Sequence, residues 1–130
     1  MAVIYHFATD PEYKTVKTET DGTVTLNENI ADNVGFERTL NAYEEYVSKN
    51  GSEPVLPYFE NFTHEQLFTL GFANMWCENS EDFSIEPDFE HSPKAIRVND
   101  VAINSKEFSH IWNCSDGTKM NPKEKKCRLW

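Results

Sequence analysis

No stretch of this 130-residue chain comes near the ~20 consecutive apolar residues that a membrane-spanning helix needs. The first ten residues, Met1 to Asp10, lack a basic segment followed by a long apolar one, so they do not read as an export signal. Nothing in the chain, on this reading, takes it out of the cytosol. Positive charge is scarce: 12 Lys and Arg stand against 22 Asp and Glu, giving a formal net charge of −10 and a pI of about 4.8. Such a surface repels phosphate backbones and anionic headgroups, which argues against nucleic acid and against lipid docking. There is no Cys-x-x-Cys, so a structural zinc ribbon is not expected.

What is present points to one modest domain. Nine Phe, five Tyr and three Trp, within 38% hydrophobic residues, are too much aromatic bulk for a disordered chain. The three cysteines, Cys77, Cys114 and Cys127, are odd in number, so at least one is free or pairs outside the chain. Three glycosylation sequons begin at Asn50, Asn61 and Asn113. Together these suit an exported protein, in tension with the missing export signal.

Residues 1–22 alternate loosely and read as short, loosely ordered extended pieces ending in an Asp21-Gly22 turn. A helix is predicted over 26–48 from the spacing of Ile30, Ala31, Val34, Leu40, Tyr43, Tyr46 and Val47. Thr25-x-x-Glu28 is a candidate capping box at its start, and Asn50-Gly51 a stop. Residues 51–62, with Pro54 and Pro57, read as a connector. A second helix is predicted from a capping box at Thr63-x-x-Gln66 through Trp76, apolar nearly all round and so a core helix. Residues 78–104 are acidic and contain Pro87 and Pro93, which predicts a long irregular loop. A short third helix is predicted after Ser105, carrying Phe108, Ile111 and Trp112. The fold class expected is mainly α.

Four groups of residues carry candidate chemistry. Glu28 and Asp32 are four apart, so on a helix both carboxylates leave the same face one turn apart. One can bind a metal while the other orients a neighbouring ligand. The alternative is a capping residue and a first-turn acid favoured by the helix dipole. His91-Ser92-Pro93 lies six residues before Arg97, counted from His91. A histidine there suits oxyanion stabilisation and an arginine suits a forked bond to a substrate carbonyl. The alternative is an exposed histidine in an acidic loop and an ordinary ion-paired arginine. His64-Glu65 begins no His-Glu-x-x-His motif, because Phe68 stands where the second histidine is required. His6 and His110 have no ligand spacing. The cysteines are disulfide candidates, with a buried free thiol as the alternative, above all at Cys77.

Taken in order, further residues join these into one pattern: Asp21-Gly22, Leu26, Glu28-Asn29-Ile30-Ala31-Asp32-Asn33, Ala42-Tyr43, Gln66-Leu67-Phe68, Trp76-Cys77, His91-Ser92-Pro93, Arg97-Val98, Asn104-Ser105, Phe108, Asn113-Cys114, Met120-Asn121-Pro122 and Cys127-Arg128-Leu129-Trp130. From about residue 20 onward the chain resembles the C-terminal part of the catalytic domain in the neprilysin and endothelin-converting-enzyme family. That family consists of zinc metalloendopeptidases that cut peptides at the outer cell surface.

The resemblance implies that residues 1–130 form a single partial domain. It matches Glu28 to the third zinc ligand and Asp32 to the carboxylate that orients a zinc-binding histidine. It matches His91 to the transition-state stabiliser and Arg97 to the residue that grips the substrate backbone. Cys77, Cys114 and Cys127 match cysteines whose partners lie upstream. The family's His-Glu-x-x-His, with two zinc ligands and the general base, has no counterpart here, nor does its upstream Asn-Ala motif. Asn27 stands where the family has Gly, and Phe89 where it has a carboxylate. The implied cofactor is Zn2+ in the full-length family member, and this chain alone is expected neither to hold it nor to cleave peptides. Association with a polypeptide carrying His-Glu-x-x-His is one expectation. A non-catalytic truncated paralogue, acting as a binding or decoy module, is the other.

Overall fold

The computed structural model describes residues 21–77, 90–123 and 126–127. Four helices follow one another: α1 (Leu26–Asn50), α2 (His64–Met75), α3 (Lys94–Asn104) and α4 (Lys106–Ile111). The mainly α class holds. The extended pieces expected over 1–20 lie outside the described residues, as do Pro87, Asp88, Phe89 and the terminal Arg128, Leu129 and Trp130. No helix among the described residues is long and apolar enough to cross a membrane.

The turn expected at Asp21-Gly22 leads directly into α1, with the amides of Val24 and Thr25 donating to the Asp21 carbonyl. The capping box expected at Thr25 does not form. Thr25 has near-helical backbone angles (φ −88°, ψ 6°) and its side chain caps no amide. Its buried hydroxyl is taken by the Asp21 carbonyl and by Asn29 instead. At 25 residues, α1 is about 37 Å long, far longer than the face its neighbours cover. Its only buried residues are Phe36 and Leu40. The apolar period named Leu40 and missed Phe36; Ala31 and Tyr46 of that period are exposed. Gly51 ends α1 with φ 85° and ψ 168°, a conformation that strains any residue with a Cβ.

The capping box of α2 does form: Thr63 Oγ1 accepts from the Gln66 amide, and the Gln66 side chain accepts from the Thr63 amide. The expectation of a core helix is corrected. Only Thr69 of α2 is buried, while Leu70 is 39% and Met75 69% exposed. One stripe, Phe68 and Phe72, packs on α1, and the other apolar residues meet no described partner wide enough to bury them. The 78–104 loop is also corrected, because Lys94–Asn104 is helical. Pro93, in the N-cap position, pre-sets the chain for α3, and Ile96, Val101 and Ala102 turn inward. Acidity and proline content concealed this short amphipathic period. The third expected helix is α4, whose Ser105 cap accepts from the Phe108 amide.

The core is small. Phe36, Leu40 and Val101 are at most 5% exposed and are flanked by Phe68, Phe72 and Ile111. Phe36 meets Phe72 edge-on with ring centroids 5.0 Å apart. Polar bonds tie α2 to α4: Trp112 Nε1 donates to Thr69 Oγ1 (2.9 Å) and Gln66 Nε2 to the Ile111 carbonyl (3.2 Å). The tail then returns across the α3–α4 corner, where Lys126 Nζ donates to the Ser105 carbonyl (2.9 Å) and to Ser109 Oγ (2.7 Å). Partial burial there pushes the Lys126 ammonium below its ordinary pKa, against the opposing pull of the Cys114 and Glu107 side chains.

Candidate metal and peptide site

The first two turns of α1 present Glu28, Asn29, Asp32 and Asn33 toward α3 and the residues before it. Two side-chain pairs cross that seam. Glu28 Oε2 lies 3.1 Å from His91 Nε2, with both side chains a little over one third exposed. One turn on, Asp32 receives Arg97 in a fork: Nε donates to Oδ2 (2.5 Å) and Nη2 to Oδ1 (2.7 Å). These two side chains are each only 11% exposed. The guanidinium also lies over Trp76 at the end of α2, 4.0 Å from the ring centroid. That contact adds cation–π attraction to the fork.

Two amide contacts lie beside these pairs. Ser92 Oγ donates to Asn29 Oδ1 (2.9 Å), and Asn104 Nδ2 donates to Asn33 Oδ1 (3.2 Å). The four residues singled out from the sequence are therefore brought together as two pairs. The carboxylates come from α1 and their partners from the α3 region more than 60 positions later. The contacts of Asn29 with Ser92 and of Trp76 with Arg97 carried no role in the sequence reading. The visible signal for the first is an asparagine, a poor helix former, placed one turn after Thr25 inside a helix.

The model for Peptidase family M13 matches residues 1–129. This chain belongs to that family. It is 44% identical to neprilysin of Homo sapiens over 114 residues, which make up 85% of this chain and 15% of that protein. It is 44% identical to endothelin-converting enzyme 1 of Cavia porcellus over 115 residues, with the same shares. With neprilysin-1 of Caenorhabditis elegans the identity is 40% over 115 residues, again 85% and 15%. The chain thus spans about 15% of the length of the curated relatives it matches.

M13 peptidases are zinc-dependent, and a catalytic zinc takes three protein ligands of nitrogen, sulfur or oxygen. Glu28 fits as one ligand: it is a carboxylate on a helix, open enough to meet a cation, with a histidine beside it. Among the described residues no group of three or more His, Cys, Asp or Glu side chains could hold a metal ion. The residues present therefore fit one corner of an M13 zinc site.

Other M13 candidates lie elsewhere. Cys114 and Cys127 line a cleft of about 910 Å³ between α1, α4 and the tail, bordered by Arg38, Glu107 and Lys126. Glu28, Asp32, His91 and Arg97 do not line it. The three cysteines form no bridge among the described residues. Cys77 is exposed, which removes the buried-thiol alternative for it. Asn50, Asn61 and Asn113 are all exposed, as glycosylation requires. Asp100, one turn after Arg97 on α3, has a carboxyl pushed up to about 6 by burial. Its Oδ1 and Trp76 Nε1 are buried without a hydrogen-bond partner among the described residues.

Proposed function

We propose that this chain is the part of an M13 catalytic domain that supplies the third zinc ligand and the substrate-holding groups, and that the assembled domain hydrolyses peptide bonds as a metalloendopeptidase. The observation that carries this reading is the double pairing of Glu28 with His91 and of Asp32 with Arg97. Capping or dipole roles for the two acids ask only for helix spacing. They do not account for a histidine and an arginine from a distant segment, each meeting one of the acids.

Zinc held by a complete ligand set activates a water molecule and polarises the scissile carbonyl. In this scheme Glu28 is one of the protein ligands. His91, beside it, donates to the oxygen that becomes negative as the carbonyl is attacked. Arg97 donates to a backbone carbonyl of the peptide. Its guanidinium is oriented beforehand by Asp32 on one edge and by Trp76 on one face, which lowers the entropy lost on binding. Asp32 has the family's role of orienting a zinc-binding histidine, shared with its fork to Arg97.

The exposed sequons at Asn50, Asn61 and Asn113 support an extracellular or cell-surface setting. There Cys77, Cys114 and Cys127 would pair with cysteines outside the 130 residues. With one carboxylate ligand and no His-Glu-x-x-His, the isolated chain is inactive.

The test is complementation. The purified chain with added zinc gives no turnover of a fluorogenic enkephalin-like peptide. Mixed with a polypeptide carrying the family's His-Glu-x-x-His, it gives chelator-sensitive turnover. Glu28→Ala abolishes that turnover, and His91→Ala lowers kcat by roughly 10²–10³, the usual loss for one oxyanion donor. Chelator-sensitive cleavage by the chain alone overturns its inactivity. Complemented turnover that ignores Glu28→Ala overturns the ligand assignment. A folded monomer that binds peptides and never turns them over would support the binding-module alternative.

A further inference from the structure

We propose that Asn29 is a positioning residue for His91, acting through Ser92. His91 is exposed by a little over one third, so burial alone does not set where its ring lies. The next residue, Ser92, is 4% exposed and donates its hydroxyl to Asn29 Oδ1 at 2.9 Å. Pro93 follows and begins α3. This hydrogen bond ties down the junction from which His91 projects on one side and α3 on the other.

The direction of that bond is forced by a chain of donors. The Asp21 carbonyl can only accept, so Thr25 Oγ1, 3.2 Å away, spends its one proton there. Thr25 must then accept from Asn29, which offers its Nδ2 at 2.9 Å. The amide of Asn29 is thereby oriented with its oxygen toward Ser92, and the Ser92 hydroxyl is left as the donor. Thr25 is 3% exposed, so water cannot readily replace a broken link in the series. Asn29 also stands next to Glu28 on α1. The residue that holds the His91 segment and the residue that meets His91 thus share one rigid turn of helix. Exchange of Asn29 for alanine removes both links at once and leaves the Ser92 hydroxyl buried without its acceptor.

That His91 acts on a substrate rests on the function proposed above; that Asn29 sets the place of His91 does not. The test therefore needs neither zinc nor turnover. In the isotopically labelled full chain, a nuclear Overhauser cross-peak joins the His91 ring to the Glu28 side chain. Asn29→Ala and Ser92→Ala each lose it, while the Phe36–Phe72 cross-peaks and the Val101 methyl shifts stay in place. Ser92→Thr keeps the hydroxyl and retains the cross-peak. If Asn29→Ala also loses the core cross-peaks, Ser92→Ala decides, since it removes one oxygen only. Persistence of the His91–Glu28 cross-peak in Ser92→Ala or in Asn29→Ala overturns the proposal.

Discussion

The inner face of α1 is two surfaces in sequence. Its first two turns meet the α3 region through Glu28, Asn29, Asp32 and Asn33, each with a directional polar contact. Its next two turns meet α2 and α3 through Phe36 and Leu40, which are buried and make no polar contact. The apolar half is stabilised by area removed from water, so it tolerates small shifts of its partners. The polar half depends on distances between 2.5 and 3.2 Å, so a shift of one ångström breaks it. The apolar surface holds α1 and α3 together. The polar one uses that rigidity to fix the relative positions of groups that remain partly open to solvent, as a site for substrate requires.

The contrast is most sharply tested at Leu40, which is fully buried. Leu40→Ala should lower stability by about 2–5 kcal/mol in urea unfolding, the range for deleting a buried leucine side chain. A loss under ~1 kcal/mol would mean that the apolar half does not carry the fold.

The next effect lies at the polar half. Asp32→Ala removes the two-bond fork from the Arg97 guanidinium, 11% exposed over Trp76, and should cost about 2–3 kcal/mol. The pair Asp32→Leu with Arg97→Met should cost less than the sum of the single changes, because both ends of the fork leave together. Strict additivity in that double-mutant cycle would break the claim that the two residues act as a unit.

The smallest effect lies where the halves meet. Asp100 stands between Arg97 and Val101, and its carboxyl is raised from 3.8 to about 6 by burial. The folded state thus holds this proton more tightly than the unfolded state does. Below about pH 4 both states are protonated and Asp100 costs nothing. From about pH 4 to 6 the unfolded state ionises first, and stability falls. Above 6 the full cost is present, about 1–2 kcal/mol once solvent screening of a partly exposed group is allowed for. Asp100→Asn should therefore gain stability at pH 7–8 and not below pH 4, read from urea midpoints across pH. A gain independent of pH would show that ionisation is not its cause.

Much of this was legible in the residues. The limits of α1 and α2 follow from short-range signals, Gly51 at one end and the Thr63–Gln66 capping box at the other. α3 was not legible, because Pro93 and the acidic composition before it outweighed an apolar period only 11 residues long. The supposed cap at Thr25 failed for a local reason: the hydroxyl is taken by partners four residues away on either side, Asp21 and Asn29. α2 looked like a core helix because composition reports how apolar a segment is, whereas burial depends on which neighbours stand against it.

By itself the sequence determined the helical class and the family, and it placed Glu28 and Asp32 on one face of one helix. Helix spacing is local, and a spacing of four leaves no other choice. Only the tertiary structure decided that His91 faces Glu28, that Arg97 forks onto Asp32, and that Asn29 reaches Ser92. Those partners lie more than 60 residues apart along the chain. No local rule fixes such a distance. It is set by how α3 packs on α1, with Phe36, Leu40 and Val101 holding one end of the seam so that the polar groups meet at the other.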